Sequence, residues 1–206
     1  MIFRTGILLA TALASAILVG CASTMTPQET AAKAQKHIAQ GEFHARNGRY
    51  SLAKLEYRKA ASLEPNNAIH WALAADSARR SGDLQEAIEY YQTASDLKPN
   101  DPRWHQNLGA AYHVSKMDDE AIVEFKKAIE LGGLNPWTAG ALAEIYCTQG
   151  YMAPCFEYLR KFDETVGKQD FAAMTDAQKS ALTNLKDKIG EIRKSSTSTQ
   201  AIMPGR

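Results

Sequence analysis

An excess of charge of either sign is missing from this 206-residue chain, which carries 24 Lys plus Arg against 23 Asp plus Glu. That balance withholds support from nucleic-acid binding and from polybasic membrane attachment. Cysteine is scarce, with three residues in all. β-Branched residues are sparse beside abundant Ala, Glu, Lys, Leu and Gln, a composition that favours helix. The uncharged run Gly6–Val19 falls short of the roughly 20 apolar residues that a transmembrane helix needs. The motifs of several chemistries are missing too. His37, His44, His70, His105 and His113 show no metal-ligand spacing and do not pair with Cys. No phosphate loop, nucleophile elbow or dinucleotide fingerprint occurs. The acids Asp118, Asp119 and Glu120 stand at a helix start, where the helix dipole accounts for them. The expectation is a protein that is not an enzyme and holds no metal or cofactor.

The chain opens with Arg4, then the uncharged run, then Leu18-Val19-Gly20-Cys21. A positive start, a short apolar core and a small-residue boundary have the form of a secretory signal, set aside from fold reasoning. The boundary tetrapeptide resembles a bacterial lipobox. That resemblance implies acylation of the Cys21 thiol, palmitate among the chains, and cleavage before it. Residues 1–20 are then the signal peptide and 21–26 the lipidated tether. Two or three acyl chains anchor stably where one binds marginally. Ala22, rather than Asp, follows the cysteine, which by the same resemblance points to the outer membrane with the domain in the periplasm. At about 3.5 Å per residue, the tether holds the domain within roughly 20 Å of the surface.

Beyond residue 26 the sequence repeats itself every 34 residues. Ala53, Ala87, Ala121 and Cys155 form one series, and Tyr57, Tyr91, Phe125 and Leu159 another. Ala60, Ala94 and Ala128 make a third, Pro65 and Pro99 a fourth, and Gly41, Ala75, Gly109 and Ala143 a fifth, all small. Gly48, Gly82 and Gly150 share a register in which Lys116 takes the remaining place. Each period holds two stretches of helical apolar spacing joined by a short turn. In the second, Asn67 caps a helix over about 68–81 and Gly82-Asp83 turns the chain. A partner helix over about 84–97 then ends before Pro99.

These residues, and Trp104–Leu131 above all, resemble the tetratricopeptide repeat. The resemblance implies an all-α fold, a right-handed superhelix of helix hairpins, with repeats at 34–67, 68–101, 102–135 and 136–169 inside a domain of 27–169. Thr26-Pro27-Gln28-Glu29 is a capping box, so the first helix is expected over about Pro27–Arg46. The fourth period departs most: Phe162 replaces the alanine and Gly167 stands where proline would be. Thr175-Asp176 then opens a capping helix within 170–194, reaching about Arg193, with Leu182, Leu185, Ile189 and Ile192 on one face. Residues 195–206 are expected to be a disordered tail.

Cys147 and Cys155 flank the turn at Gly150 at similar distances, so an antiparallel hairpin can bring them into a disulfide. The other reading is two small buried thiols, with Cys155 standing in for the repeat's alanine. By the family resemblance, the inner helices line a partner groove. Carried over place by place, it takes in Ile38, Glu42 and Arg46, then Ile69, Asp76, Arg79 and Arg80. Arg103, Gln106 and His113 follow from the third repeat, and Trp137 and Glu144 from the fourth. The arginines either meet acidic groups of a partner or are solvated helix faces, with Trp137 as an anchor. The Lys and Asn set that clamps a C-terminal carboxylate in chaperone-binding members is absent, and Ile38 and Glu42 stand where it would begin. The overall expectation is an outer-membrane lipoprotein adaptor for an envelope protein or peptide, binding no nucleic acid. It looks like the pilotin-type lipoproteins of type IV and tight-adherence pilus systems, which help a secretin assemble. Recruitment of peptidoglycan hydrolases, or a part in envelope polysaccharide export, are the alternatives.

Overall fold

The computed structural model describes residues 25–169 and 172–202, with side chains up to residue 195. Cys21, the lipobox and the tether up to residue 24 lie outside the described residues. Those described form nine helices and no strand: α1 (Pro27–Arg46), α2 (Tyr50–Leu63), α3 (Ala68–Ser81), α4 (Leu84–Leu97), α5 (Pro102–Val114), α6 (Asp118–Glu130), α7 (Pro136–Thr148), α8 (Met152–Gly167) and α9 (Asp176–Ile202). No described helix is long and apolar enough to cross a membrane. The first eight pair into four antiparallel hairpins, and α2 stacks on α3 and α4 on α5 to continue the array.

Local chemistry sets both ends of each hairpin. Asn67, Asp101 and Asn135, 34 residues apart, cap α3, α5 and α7 by accepting from the backbone N–H groups of Ile69, Arg103 and Thr138 at 3.2, 3.0 and 3.0 Å. Such a cap is worth about 1 kcal/mol. The first repeat has no counterpart. Its helix begins earlier, at the capping box in which Glu29 N–H donates to Thr26 and Thr26 N–H to Glu29. The four turns are equally alike. The N–H groups of Arg49, Asp83, Met117 and Tyr151 each donate 2.9 Å back to the carbonyls of His44, Ala78, Tyr112 and Tyr146. This closure requires a left-handed residue just before the donor. Gly48, Gly82 and Gly150 supply it at φ of 70°, 89° and 79°, and Lys116 adopts it at 63° without glycine's freedom.

Within a hairpin, the small series exists because of the aromatic series. A Cβ on Gly41 would fall 2.5 Å from the Tyr57 ring, and one on Gly109 2.9 Å from Phe125. Ala53, Ala87, Ala121 and Cys155 are fully buried, as are Ala60, Ala94 and Ala128. A second contact also recurs at 34-residue spacing. His37 meets Glu56 at 2.7 Å and His105 meets Glu124 at 2.7 Å, two repeats apart. Between them the same places hold Trp71 and Tyr90, with ring centroids 5.6 Å apart. Trp71 donates from its indole to the Pro65 carbonyl, and the His105 Nε2 sits 3.0 Å from the equivalent Pro99 carbonyl. These histidines therefore serve hairpin packing.

The C-terminal end is built differently. Cys147 and Cys155 are joined, tying α7 to α8 with Cα atoms 4.9 Å apart. Phe162 is buried in a cluster with Leu159 and Ile189, so its bulk fills space against α9 where another repeat would require alanine. The expected end of α9 near Arg193, with a disordered tail from 195, is corrected by a helix that runs to Ile202. The stretch between them holds neither glycine nor proline until Pro204. Its Ser and Thr residues lower helix propensity by only a few tenths of a kcal/mol each.

Candidate partner-binding groove

The inner helices α1, α3, α5 and α7 share a chain of adjoining cavities. One of about 260 Å³ lies beside α1, α2 and α3, and meets a second of about 490 Å³ between α3 and α5 at Leu73 and Asp76. The second meets a third, of about 500 Å³ among α5, α7 and α9, at Asn107 and Ala110. A further cavity of about 570 Å³ at the loops between repeats shares Ile69 and Trp104. The three larger cavities have volumes typical of ligand sites, and here they join end to end. Ile69, Val114 and Trp137 line them and remain 58%, 49% and 41% exposed.

The groove places repeat with the period of the fold. Ile69, Ala72 and Asp76 line the cavity beside α3, while Gln106 and Ala110, and then Trp137 and Glu144, line the next. Ala110 and Val114 belong to the groove although neither charge nor bulk singles them out in the sequence. Their register within the repeat is the signal that does. Asn107, exposed at the junction of two cavities, lies outside the repeat places that the family resemblance assigns to the groove.

Ile38 is not a groove residue. It is 7% exposed and packs with Tyr57 and Ala74, because α1 turns its Ala34–Ile38–Gly41 stripe toward α2. Glu42 and Arg46 remain on the surface and pair with each other at 3.3 Å. The arginines are not free cations awaiting an acidic partner. Asp76 receives Arg79 at 2.6 Å and Arg80 at 2.8 Å. Arg80 also donates to the Tyr50 hydroxyl and lies over its ring. Arg103 binds Asp101 at 2.6 Å, rests over Trp104 and borders the loop-side cavity. Gln106 donates to the Gly133 carbonyl and so braces the connection into the fourth repeat.

The polar end of the groove is a relay across four helices. His113 on α5 contacts Asp118 at 2.7 Å and Glu144 of α7 at 3.6 Å, and Lys188 of α9 reaches Glu144 at 2.7 Å. The nearby His113 imidazole first, then Lys188, holds the Glu144 carboxyl down at about 2. The nearby Glu144 carboxylate, and then Asp118, raise His113 in turn. Beside α3, burial first and the Asp76 charge second push the Tyr91 hydroxyl up to about 12. The groove thus has satisfied charges, a central amide and apolar anchors. No cluster among the described residues could hold a metal ion.

Comparison with known proteins agrees with this geometry. A tetratricopeptide-repeat family model matches residues 37–67, and a second TPR-repeat model matches 75–114. The Small glutamine-rich tetratricopeptide repeat-containing protein 2 of Saccharomyces cerevisiae is 30% identical over 107 residues, 52% of this chain and 31% of that protein. Its namesake from Mycosarcoma maydis is 28% identical over 107 residues, 30% of its length. The match thus spans less than a third of these curated relatives. Among solved structures, a MamA protein aligns at a TM-score of 0.62 with 18% identity, covering 82% of this chain and 92% of its own. PilF of Pseudomonas aeruginosa aligns at 0.59 with 23% identity, covering 84% and 78%. The first TPR of Spaghetti (RPAP3), bound to the HSP90 peptide SRMEEVD, aligns at 0.55 with 21% identity, covering 58% and 95%. At these identities the structures speak for the fold alone. The repeat models over 37–67 and 75–114, the 34-residue periodicity and the stacked hairpins together give this chain the tetratricopeptide-repeat fold.

Proposed function

We propose that this protein is a protein–protein adaptor that grips a segment of its partner along the inner faces of α3, α5 and α7. The observation that carries the reading is the run of joined cavities, walled by Ile69, Val114 and Trp137 and floored by Asn107 and Ala110. Exposed apolar anchors around a satisfied polar frame suit an apolar or amphipathic peptide, with the amide of Asn107 offered to its backbone. A chain-end carboxylate is a poor match. Ile38 is buried and Glu42 is an acid, where a clamp needs a cation and an amide.

We further infer that the adaptor is held at the periplasmic face of the outer membrane by lipid on Cys21, and that its partner is an envelope protein. Secretin assembly in a pilus system is the pathway we favour. Supporting this are the Leu18–Cys21 tetrapeptide and its short distance from the repeat array.

The test uses the full chain with Ala110→Trp, which fills the groove from an exposed position, beside Val123→Trp on the outer helix α6, where Val123 is 62% exposed. Co-purification of envelope partners should be lost with Ala110→Trp and kept with Val123→Trp. The opposite pattern would move the site to the outer face. Radiolabelled palmitate should enter the wild type and not Cys21→Ser, and equal labelling would refute the anchor.

A further inference from the structure

In α2–α3 and α4–α5, each new inner helix packs on the outer helix before it. The last helix does otherwise, lying mainly on α7 and touching α8 less. It therefore does not continue the stack and instead lies over the inner side of the fourth repeat. The places it covers are groove places. Gly140 stands 34 residues after Gln106 and 68 after Ala72, and Glu144 stands 34 after Ala110 and 68 after Asp76, all of which line cavities. A Cβ on Gly140 would lie 3.1 Å from a Leu185 methyl carbon, and Glu144 takes Lys188 at 2.7 Å. Leu185 also closes the cavity that holds Trp137. Where α3 and α5 present open groove, α7 presents the same register with a helix laid across it.

We propose that the inner face of α7 is a helix-binding site and that α9 is its intramolecular occupant. The partner it fits is an amphipathic helix with branched apolar residues at i, i+3 and i+7, as in Leu182, Leu185 and Ile189, and a lysine just before the last of them. Glycine at 140 admits the central apolar side chain and Glu144 receives the lysine. The attachment is narrow. Of the side chains described on α9, Leu182 and Ile189 alone are buried, with Leu185 and Ile192 partly so. A helix held by one apolar stripe and the ion pairs Lys188–Glu144 and Arg193–Asp163 can leave without unfolding the hairpins beneath. When α9 is seated, a competing helix sees only the fraction of molecules in which the face is open, and its apparent affinity falls by that fraction. The proposal extends the groove reading by naming a second class of ligand at its C-terminal end and a gate over it.

The test probes α9 docking itself with a labelled peptide of residues 175–195, so its failure leaves the groove around Asn107 and Ala110 standing. In the full chain, Leu185→Asp with Lys188→Glu unseats α9, which hydrogen exchange on its amides reports. Circular dichroism and the retained Cys147–Cys155 bond report the fold. The peptide should bind this variant at least tenfold more tightly than the wild type, and adding Gly140→Leu should abolish the binding. Equal affinity for wild type and variant, or binding that survives Gly140→Leu, overturns the proposal. If the double variant unfolds, Leu185→Ala takes its place with the same readouts, and the same outcomes support or overturn the proposal.

Discussion

The second and third repeats hold together by self-similarity, whereas the fourth holds by exceptions. In the former, Ala87 and Ala121 are fully buried, the caps are Asn or Asp at 34-residue spacing, and the left-handed turn residue recurs with Lys116 as its one departure from glycine. In the fourth, a disulfide replaces the alanine contact, Phe162 replaces another alanine, and a long helix covers the inner face. A repeat array is stable because each unit buries its neighbour's face. The last unit has no such neighbour. Its substitutions supply a covalent tie on one side and an apolar cover on the other.

Removing the tie should give the largest effect. The Cys147–Cys155 bond closes a short loop, sequence separation 8, and such a bond is worth about 2–3 kcal/mol in the chain-entropy account. Replacing both by Ser should lower denaturant stability by about that much, with hydrogen exchange rising in α7–α9 before α1–α4. A uniform rise along the chain would erase the distinction between the two regions. Ala121→Leu probes the other side. A residue with no exposed surface beside Phe125 has no room for added methylenes, and overpacking should cost about 1–3 kcal/mol. A thermal melt unchanged by it would contradict the close helix contact.

Lys116 is the exception inside the regular region. Its left-handed backbone costs about 1–2 kcal/mol that glycine avoids, less glycine's own entropic penalty of about 0.5–1. Lys116→Gly should stabilise by about 0.5–1 kcal/mol, and Gly82→Lys should destabilise by a similar amount in urea titrations. The smallest effect concerns pH. Glu144 is held near 2, below its ordinary 4.5, so its contribution is full above 4.5 and fades as pH falls toward 2. His113 is held above its ordinary 6.5, so its contribution is full below 6.5 and fades as pH rises through the raised value. The α5–α7–α9 junction should therefore be firmest between about 4.5 and 6.5. Protection factors of the α9 amides, with the intrinsic pH dependence of exchange divided out, should be highest in that window, and Glu144→Gln should flatten the maximum.

What could be read from residues alone followed from how local each cause was. The Thr26 capping box, the Asn67 cap and the glycine turns act within a few residues, so α1, α3 and α4 occupy the stretches expected of them. The disulfide was legible because a hairpin mirrors positions about its turn. The groove was less so. Burial of Ile38 depends on which way α1 rolls against α2, and spacing alone does not say that. Asp76 sits three and four residues before Arg79 and Arg80, so their pairing was within reach of helix geometry. The stripe on α9 announced a buried face without naming the helix beneath. The one hint was Gly140, a residue too small for the open groove place it occupies. The anchor at Cys21 rests on residues outside the described structure, and its test is chemical.

The central claim is that partners are held on the inner faces of the repeats. A photo-reactive side chain placed at Asn107, where two cavities meet, and separately at Val123 on the outer face, tests it most directly. Irradiation in intact cells should crosslink an envelope protein from position 107 and none from position 123. A crosslink from 123 with none from 107 would contradict the account.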